Sequence, residues 1–316
     1  MISFRAFLNG DTPRIVEIWR SQAPERGLVQ PLTVDLFESH VLAKLYFDRQ
    51  GLVLALDDEM PIGFGHASFG PTNNGADVST DWGVVSLVMV RANYQRQGIG
   101  AELVRRCEAY LAGRGARVMY AGGIRPMNGF YLGLYGGSEL PGVLCSAARA
   151  QQLFRSTGYR EIDRTLVFHR DLLSFRPPID RQQIQIRRRC TLKLINDPPA
   201  QSWWDACVFG PLDRTRFELR ANQGNALLAS AAIWSMQPLA SSWGVRAAGL
   251  IDVDVPEEHR RQGMATHLLA EIFRQLAASG ITMVEVQTMQ ANTPARELYK
   301  KLGFQQIDQG SVFRKE

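Results

Sequence analysis

The 316-residue chain lacks the marks of several protein classes. It has four cysteines, Cys107, Cys145, Cys190 and Cys207, with no CxxC pair and no histidine cluster beside them. That argues against a metal site or a disulfide framework, and the thiols read as reduced and buried, as in a cytoplasmic protein. No apolar run reaches membrane-spanning length. The opening Met1-Ile2-Ser3-Phe4-Arg5-Ala6-Phe7 lacks the basic-then-apolar order of a secretory signal, and Asp11 and Pro13 come too early for one. Cytoplasmic location without a membrane partner is the expectation. Charge of one sign is also scarce: the net charge is +5 and the pI about 9.2. A cluster such as Arg187-Arg188-Arg189 reads as a solvated strand start or linker. Without a basic stripe interleaved with aromatics, nucleic acid is not an expected partner. The mild basic excess does suit a small polyanion.

What is present is an ordinary globular composition, 45% hydrophobic and 21% charged, at a length that fits two domains. The chain also repeats itself. An apolar strand from Val84 runs into Gln95-Arg96-Gln97-Gly98-Ile99-Gly100. A second strand from Gly249 runs through Pro256-Glu257-Glu258-His259 into Arg260-Arg261-Gln262-Gly263-Met264-Ala265. Gly98 and Gly263 lie 165 residues apart, a domain-length period. An amphipathic helix follows each loop. Leu103, Val104, Cys107, Tyr110 and Leu111 form one apolar stripe; Leu268, Leu269, Ile272, Phe273 and Leu276 form the other. Gly113 with Gly115, and Gly280, end them. Strands follow at 117–121 and 282–288. Each copy closes with a short helix into Gly158-Tyr159 or Gly303-Phe304, then a last strand, at 164–169 and 307–314.

Before the first loop the pattern predicts strands at 3–7, 52–56 and 62–69, with helices from about Asp11 and Thr33. The second half predicts a strand at 184–187, a helix at 199–208 and strands at 216–221 and 227–234. Phe175-Arg176-Pro177-Pro178-Ile179 reads as a linker, since paired prolines continue neither helix nor ladder. The expected architecture is mixed α/β in two tandem domains: 1–174 with an insertion at about 124–146, a linker at 175–183, and 184–316.

A strand entering a helix through glycines is an anion site. The first backbone N–H groups of the helix have no internal partner, and the helix dipole favours negative charge there. Gly98 with Gly100, and Gly263 with the small Ala265, let the backbone approach a pyrophosphate; Arg96, Arg260 and Arg261 add charge. Neither copy has the Gly-Lys-Ser/Thr of a Walker loop. The third glycine of a dinucleotide fingerprint is replaced by Leu103 and Leu268.

These residues resemble the acyl-CoA signature of the GNAT acetyltransferases, Q/R-x-x-G-x-G/A after the fourth strand. Gln95-x-x-Gly98-x-Gly100 and Arg260-x-x-Gly263-x-Ala265 both match it. The second half also matches the family's later signature, from Asn292-Thr293-Pro294 through Leu298-Tyr299 to Gly303-Phe304. The tandem order is similar to that of the mycothiol synthase type. The resemblance implies that acetyl-CoA is the cofactor, held by Gln95, Arg96, Gln97, Gly98, Ile99 and Gly100, and by Arg260, Arg261, Gln262, Gly263, Met264 and Ala265. It implies that the fourth and fifth strands splay around the pantetheine arm, at Val88, Met89 and Val90 and at Val253 and Val255. It further implies direct attack by a primary amine, from a small molecule or a peptide, in a monomer or homodimer.

The copies differ beyond the loop. Aligning the Gly-aromatic pairs sets Phe154 against Tyr299 and Ala147 against Asn292. The resemblance makes Tyr299 the acid that protonates the departing thiolate, a role suited to a phenol with a reference pKa of about 10; it also makes Asn292 and Tyr299 cofactor contacts. Residues Tyr299 and Asn292 equally read as a packing tyrosine and a helix cap. In the first half the insertion, rich in glycine and tyrosine, offers Tyr131, Tyr135 and Glu139 as polar groups over the acceptor side, or else a structural lid. Candidate bases in the second half are Asp252 and Asp254, which share a strand face by alternation; Glu257 and Glu258 read as turn residues. A degenerate scaffold in one half, or an acyl-CoA sensor, are the alternatives to a tandem enzyme.

Overall fold

A computed structural model describes residues 1–178 and 180–316; Ile179, at the end of the expected linker, lies outside the described residues. In chain order the first elements are β1 (Ile2–Ala6), α1 (Thr12–Arg20), α2 (Val34–Phe37), β2 (Leu52–Asp57), β3 (Met60–Pro71), β4 (Val78–Val90), α3 (Ile99–Gly113), β5 (Val118–Ala121), β6 (Val143–Leu144), α4 (Ala148–Ser156) and β7 (Arg160–Asp171). The second set is α5 (Arg181–Arg189), β8 (Cys190–Asn196), α6 (Trp203–Phe209), β9 (Arg214–Ala221), β10 (Leu227–Ser235), α7 (Gln237–Trp243), β11 (Ala247–Asp254), α8 (Met264–Ala278), β12 (Met283–Met289), α9 (Thr293–Lys301) and β13 (Gln305–Lys315). Among the described residues no helix is long and apolar enough to cross a membrane.

The chain forms two compact units. Unit 1 is Met1–Thr165, Ala200–Pro211 and Asp308–Glu316; unit 2 is Leu166–Pro199 and Leu212–Ile307. In unit 1 the strands β1, β2, β3 and β4 pair antiparallel in sequence order. Strand β5 joins β4 in parallel, which requires the crossover through α3. Unit 2 repeats the plan: β8 to β11 are antiparallel, and β12 joins β11 in parallel through α8.

The closing strands depart from the sequence reading. The first copy does not keep the strand at 164–169, and the second does not keep 307–314. Instead the end of β13 pairs β5 in unit 1, Phe313 opposite Ala121. The part of β7 from Leu166 belongs to unit 2, where β7 is next to β12. Core packing explains the exchange. Phe313 is fully buried with Phe154 and Tyr159, while Phe168 is buried with Tyr299 and Phe304.

Three further expectations are corrected. The strand expected at 184–187 is the helix α5: Asp180 caps it, accepting from the Gln183 N–H at 2.8 Å, and Ile186 enters the unit 2 core. Arg187, Arg188 and Arg189 form its last turn, where cations meet the negative end of the helix dipole. The helix expected to lead the second half is α6, and it belongs to unit 1. There Trp204 stacks on Tyr46 at 4.6 Å and donates to the Pro126 carbonyl at 3.0 Å. Lys44 donates to the Cys207 carbonyl at 2.6 Å, and burial pulls its pKa down to about 8. Finally, the insertion is not an open loop: Phe130, Tyr131, Leu132, Leu134, Tyr135 and Leu140 are all buried.

Each sheet has an apolar face under its loop helix. Ala67, Phe69 and Val85 pack with Val104, Cys107 and Leu111 of α3. In unit 2, Ala229, Ala231, Leu250, Val284 and Val286 pack with Leu268, Leu269, Ile272 and Phe273 of α8. Alternation then sends His66 and Ser68 of β3, and Glu285 and Gln287 of β12, to the opposite faces.

Candidate active site

The two loops share one backbone design. A turn of 3-10 helix precedes each, Ala92–Tyr94 and Glu257–His259. Arg96 and Arg261 have φ of 62° and 57°, and Gly98 and Gly263 have φ of 83° and 79°. Two left-handed residues flanking one residue of negative φ, just before a helix start, make a turn of the kind that can present successive N–H groups to an anion. The first residue of each motif ties the loop to its strand. Gln95 Nε2 donates to the Val90 carbonyl at 2.8 Å, and Arg260 Nε donates to the Val255 carbonyl at 3.0 Å. The third residue braces the turn: Gln97 donates to the Asn93 carbonyl at 3.1 Å, Gln262 to the Glu258 carbonyl at 2.8 Å. Gln95 and Gln97, with Arg260 and Gln262, therefore hold the loop by side-chain bonds. Ile99 and Met264 open the helices α3 and α8. Arg96 and Arg261 stay exposed.

The strands diverge where the expected arm would lie. Pairing of β4 with β5 ends at Val85 opposite Ala121; pairing of β11 with β12 ends at Leu250 opposite Val286. Val88, Met89 and Val90 lie beyond the first end point, Val253 and Val255 beyond the second. The Val90 and Val255 carbonyls are already engaged by Gln95 and Arg260.

The loops differ in what stands against them. A Cβ on Gly98 would meet nothing within 4 Å, whereas one on Gly263 would lie 3.1 Å from Gln182 Cδ and 3.2 Å from Gln183 Nε2 of α5. Gln183 is buried; its Oε1 lies 3.1 Å from His267 Nδ1, and its Nε2 has no hydrogen-bond partner. An orphaned buried donor costs about 1–3 kcal/mol. Burial also lowers the His267 pKa, with Glu271 opposing and Arg187 adding to the shift. The matching position in unit 1 is Glu102, bonded at 2.6 Å by Arg105 and 2.8 Å by Arg106, which holds its carboxyl below the usual range. At Gly100 a Cβ would make ordinary contact with Leu153 at 3.4 Å, consistent with Ala265 in the second copy.

The faces opposite the loop helices differ more. In unit 1 that face is filled. Tyr131 holds a left-handed φ of 67°, unusual for a bulky residue. Its hydroxyl is 2.8 Å from His66 Nδ1, Trp19 stacks on it at 6.0 Å, and Phe130 lies 4.5 Å from the His66 ring. Burial pulls the His66 pKa down to about 3 and raises that of Tyr131 well above the usual phenol range. Ser68 and Ser86 hydroxyls pair at 2.8 Å beside them. Tyr135, also buried, accepts from the Leu144 N–H at 2.9 Å. Glu139 lies 3.6 Å from Arg125.

In unit 2, Tyr299 is 4% exposed in the core beside Phe168 and Phe304, and Asn292 Oδ1 caps α9 by accepting from Ala295 N–H at 3.3 Å. Asp252 has φ of 52°, at an irregularity where β10 pairs β11, so simple alternation with Asp254 does not hold there; both are exposed. Glu257 and Glu258 are exposed in the turn. The structure brings forward a pair that the sequence reading missed. Glu285, fully buried, has Oε2 2.7 Å from His169 Nε2 and accepts from Gln287 Nε2 at 3.1 Å on Oε1. A carboxylate amid the apolar alternation of β12 was the available signal. A cavity of about 610 Å³ is lined by Cys145 and by Gln151, Gln152, Arg155 and other residues of α4, and includes no residue of either glycine loop.

Two family models match the chain: the acetyltransferase (GNAT) family over residues 12–135 and the FR47-like protein family over 240–312. A ribosomal protein bS18-alanine N-acetyltransferase from Haemophilus ducreyi is 38% identical over 60 residues, 19% of this chain and 41% of that protein. A tandem GNAT protein from the clavulanic acid biosynthesis pathway has a similar fold, with a TM-score of 0.68 and 13% identity over 100% of this chain and 98% of that one. A GCN5-related glucosamine N-acetyltransferase region of a fungal multi-domain β-N-acetylglucosaminidase gives a TM-score of 0.72 and 16% identity, over 100% of this chain and 38% of that one. This chain therefore spans about two fifths of the length of the curated relative and of the fungal protein.

Proposed function

The chain belongs to the GNAT superfamily, and on that premise we propose that it moves an acetyl group from acetyl-CoA to a primary amine by direct attack in a ternary complex. One observation carries this reading: the same loop, with the same left-handed residues and tethering bonds, occurs in both units. Both loops have the backbone form that a pyrophosphate would need. Space lies open over Gly98, and at Gly263 the unpartnered Gln183 amide is a donor for it. Arg96, Arg260 and Arg261 would supply charge, and the diverging strands would take the arm along Val88–Val90 and Val253–Val255. Bound acetyl-CoA supplies the thioester. In unit 2, Tyr299 would give the departing sulfur its proton and Asn292 would set the start of α9. In sequence, the two GNAT domains are read as 1–174 and 184–316 around the segment 175–183.

A second reading has support from particular residues: unit 1 binds coenzyme A without transferring acetyl groups. Phe154 stands where unit 2 has Tyr299, and Phe130 and Tyr131, packed on His66, occupy the face where an acceptor would sit. The named relatives suggest a peptide beginning with alanine and glucosamine as first acceptors. Isothermal titration with acetyl-CoA, followed by mass detection of acetylated product from these two amines, tests the function. Saturable binding and product from a primary amine are expected. A wild-type protein with no heat of binding would sink the proposal.

A further inference from the structure

We propose that His169 and Glu285 form the proton-accepting site of unit 2, on a sheet face built to receive a primary ammonium. The inference rests on the acetyltransferase reading above and deepens it. Four observations converge. Glu285 has no exposed surface, and a carboxylate is costly to bury unless paired and hydrogen-bonded. Both of its oxygens are engaged, one by His169 Nε2 at 2.7 Å and one by the Gln287 amide at 3.1 Å. The pair lies beside the point where β11 and β12 part: Glu285 is opposite Gly249, and the last pair, Leu250 with Val286, follows directly. It also lies on the face away from α8, since Val284 and Val286 fill the other face.

The geometry divides the work. Glu285 is sealed, whereas the His169 side chain keeps 18% of its surface. With Nε2 held by the carboxylate, Nδ1 is the nitrogen left to meet the acceptor. His169 is therefore the catalytic group. Glu285 is a positioning residue that fixes the ring and favours the imidazolium as it forms, the logic by which a buried carboxylate serves a histidine base. The Trp243 ring, 5.3 Å from that of His169, gives the site an aromatic wall suited to a cation. The titratable members of the cluster are His169 and Glu285; Gln287, Gly249 and Trp243 complete it.

The transfer balances. One ammonium proton passes to His169 and on to water. The neutral nitrogen bonds to the thioester carbonyl carbon, and the carbon–sulfur bond breaks as the tetrahedral intermediate collapses. The second nitrogen proton ends on the coenzyme A thiolate. An ammonium acceptor needs the base before it can attack. Hydroxylamine, a neutral nucleophile at neutral pH, needs it far less.

The experiment compares wild type, His169→Asn and Glu285→Gln with two acceptors: the best amine of the screen above, and hydroxylamine. For His169→Asn, kcat with the amine falls roughly a hundredfold or more, while the acetyl-CoA Kd stays within about twofold. The loss with hydroxylamine is much smaller. Glu285→Gln gives a lesser loss of the same selective pattern, and Glu285→Asp recovers part of it. An unchanged kcat in His169→Asn, or equal losses on both acceptors, overturns the assignment. A wild type that acetylates neither acceptor overturns the acetyltransferase reading, and the assignment with it.

Discussion

The two units carry the same loop on opposite kinds of supporting face. Unit 1 leaves the space above Gly98 open but fills the far side of its sheet with Trp19, Phe130 and Tyr131. Unit 2 lays α5 against Gly263 but keeps a carboxylate, an imidazole and an amide on the far side of its sheet. On the proposed reading an anion cradle needs only two left-handed residues and a helix start, and both units have them. The proposed acceptor face needs particular side chains from several strands, and on that face the two units differ. The proposal therefore predicts that binding and transfer are separable by loop variants in each unit. Valine at Gly263 or Gly98 must adopt a left-handed backbone that costs about 1–2 kcal/mol, more when β-branched, and it places a branched side chain in the cradle. Gly263→Val is expected to abolish transfer. Gly98→Val is expected to remove one bound acetyl-CoA per chain in a titration while transfer persists. Loss of transfer in Gly98→Val alone would invert the assignment of the units.

The filled face of unit 1 makes a different prediction. Tyr131→Phe removes the partner of the buried His66 nitrogen, and leaving such a group unsatisfied costs about 1–3 kcal/mol. Thermal unfolding should register that loss while acetyl transfer is spared; a large fall in kcat at unchanged stability would place Tyr131 in the chemistry instead. The same histidine sets a pH dependence. It stays neutral in the fold down to about pH 3, whereas in the unfolded chain it takes up a proton near its ordinary value of about 6.5. The unfolded state therefore binds more protons between these limits, and stability falls as pH drops through that window, by up to about 1.4 kcal/mol per unit. Denaturant midpoints of wild type and His66→Gln, measured across that range, should converge toward the acid end.

Much of this was legible in the sequence because it is local. Each loop is six residues whose glycines, arginines and following helix stripe speak for themselves. The strand exchange was not legible: each segment ends in a short apolar run before a basic residue, Leu166-Val167-Phe168-His169 and Val312-Phe313-Arg314, and the choice of sheet edge depends on where Phe168 and Phe313 pack. Helix α5 was hidden because Ile184 and Ile186 alternate like a strand, while Asp180, its cap, lies outside that short window. Half of the His169–Glu285 pair was visible, since a carboxylate inside Met283-Val284-Glu285-Val286 interrupts an otherwise apolar strand. Its partner is 116 residues upstream, on the exchanged strand, where no periodicity points to it.

The smallest expected effects bear on the loops themselves. If Gln183 is a donor to the ligand at the second loop, Gln183→Leu removes a hydrogen bond to a charged group, worth about 1.5–3 kcal/mol. The acetyl-CoA Kd of that site alone should then rise by about one to two orders of magnitude, while protein stability feels two opposed changes: the orphaned buried amide is gone, and His267 Nδ1 loses its partner at 3.1 Å. Gly100→Ala sets the lower bound. Its φ is not left-handed, a Cβ there finds Leu153 at ordinary contact distance, and the second copy already carries Ala265. Its Kd should match wild type within about twofold. If Gly100→Ala weakened binding as much as Gln183→Leu, the two loops would hold the pyrophosphate differently, and the backbone likeness between them would not extend to the ligand.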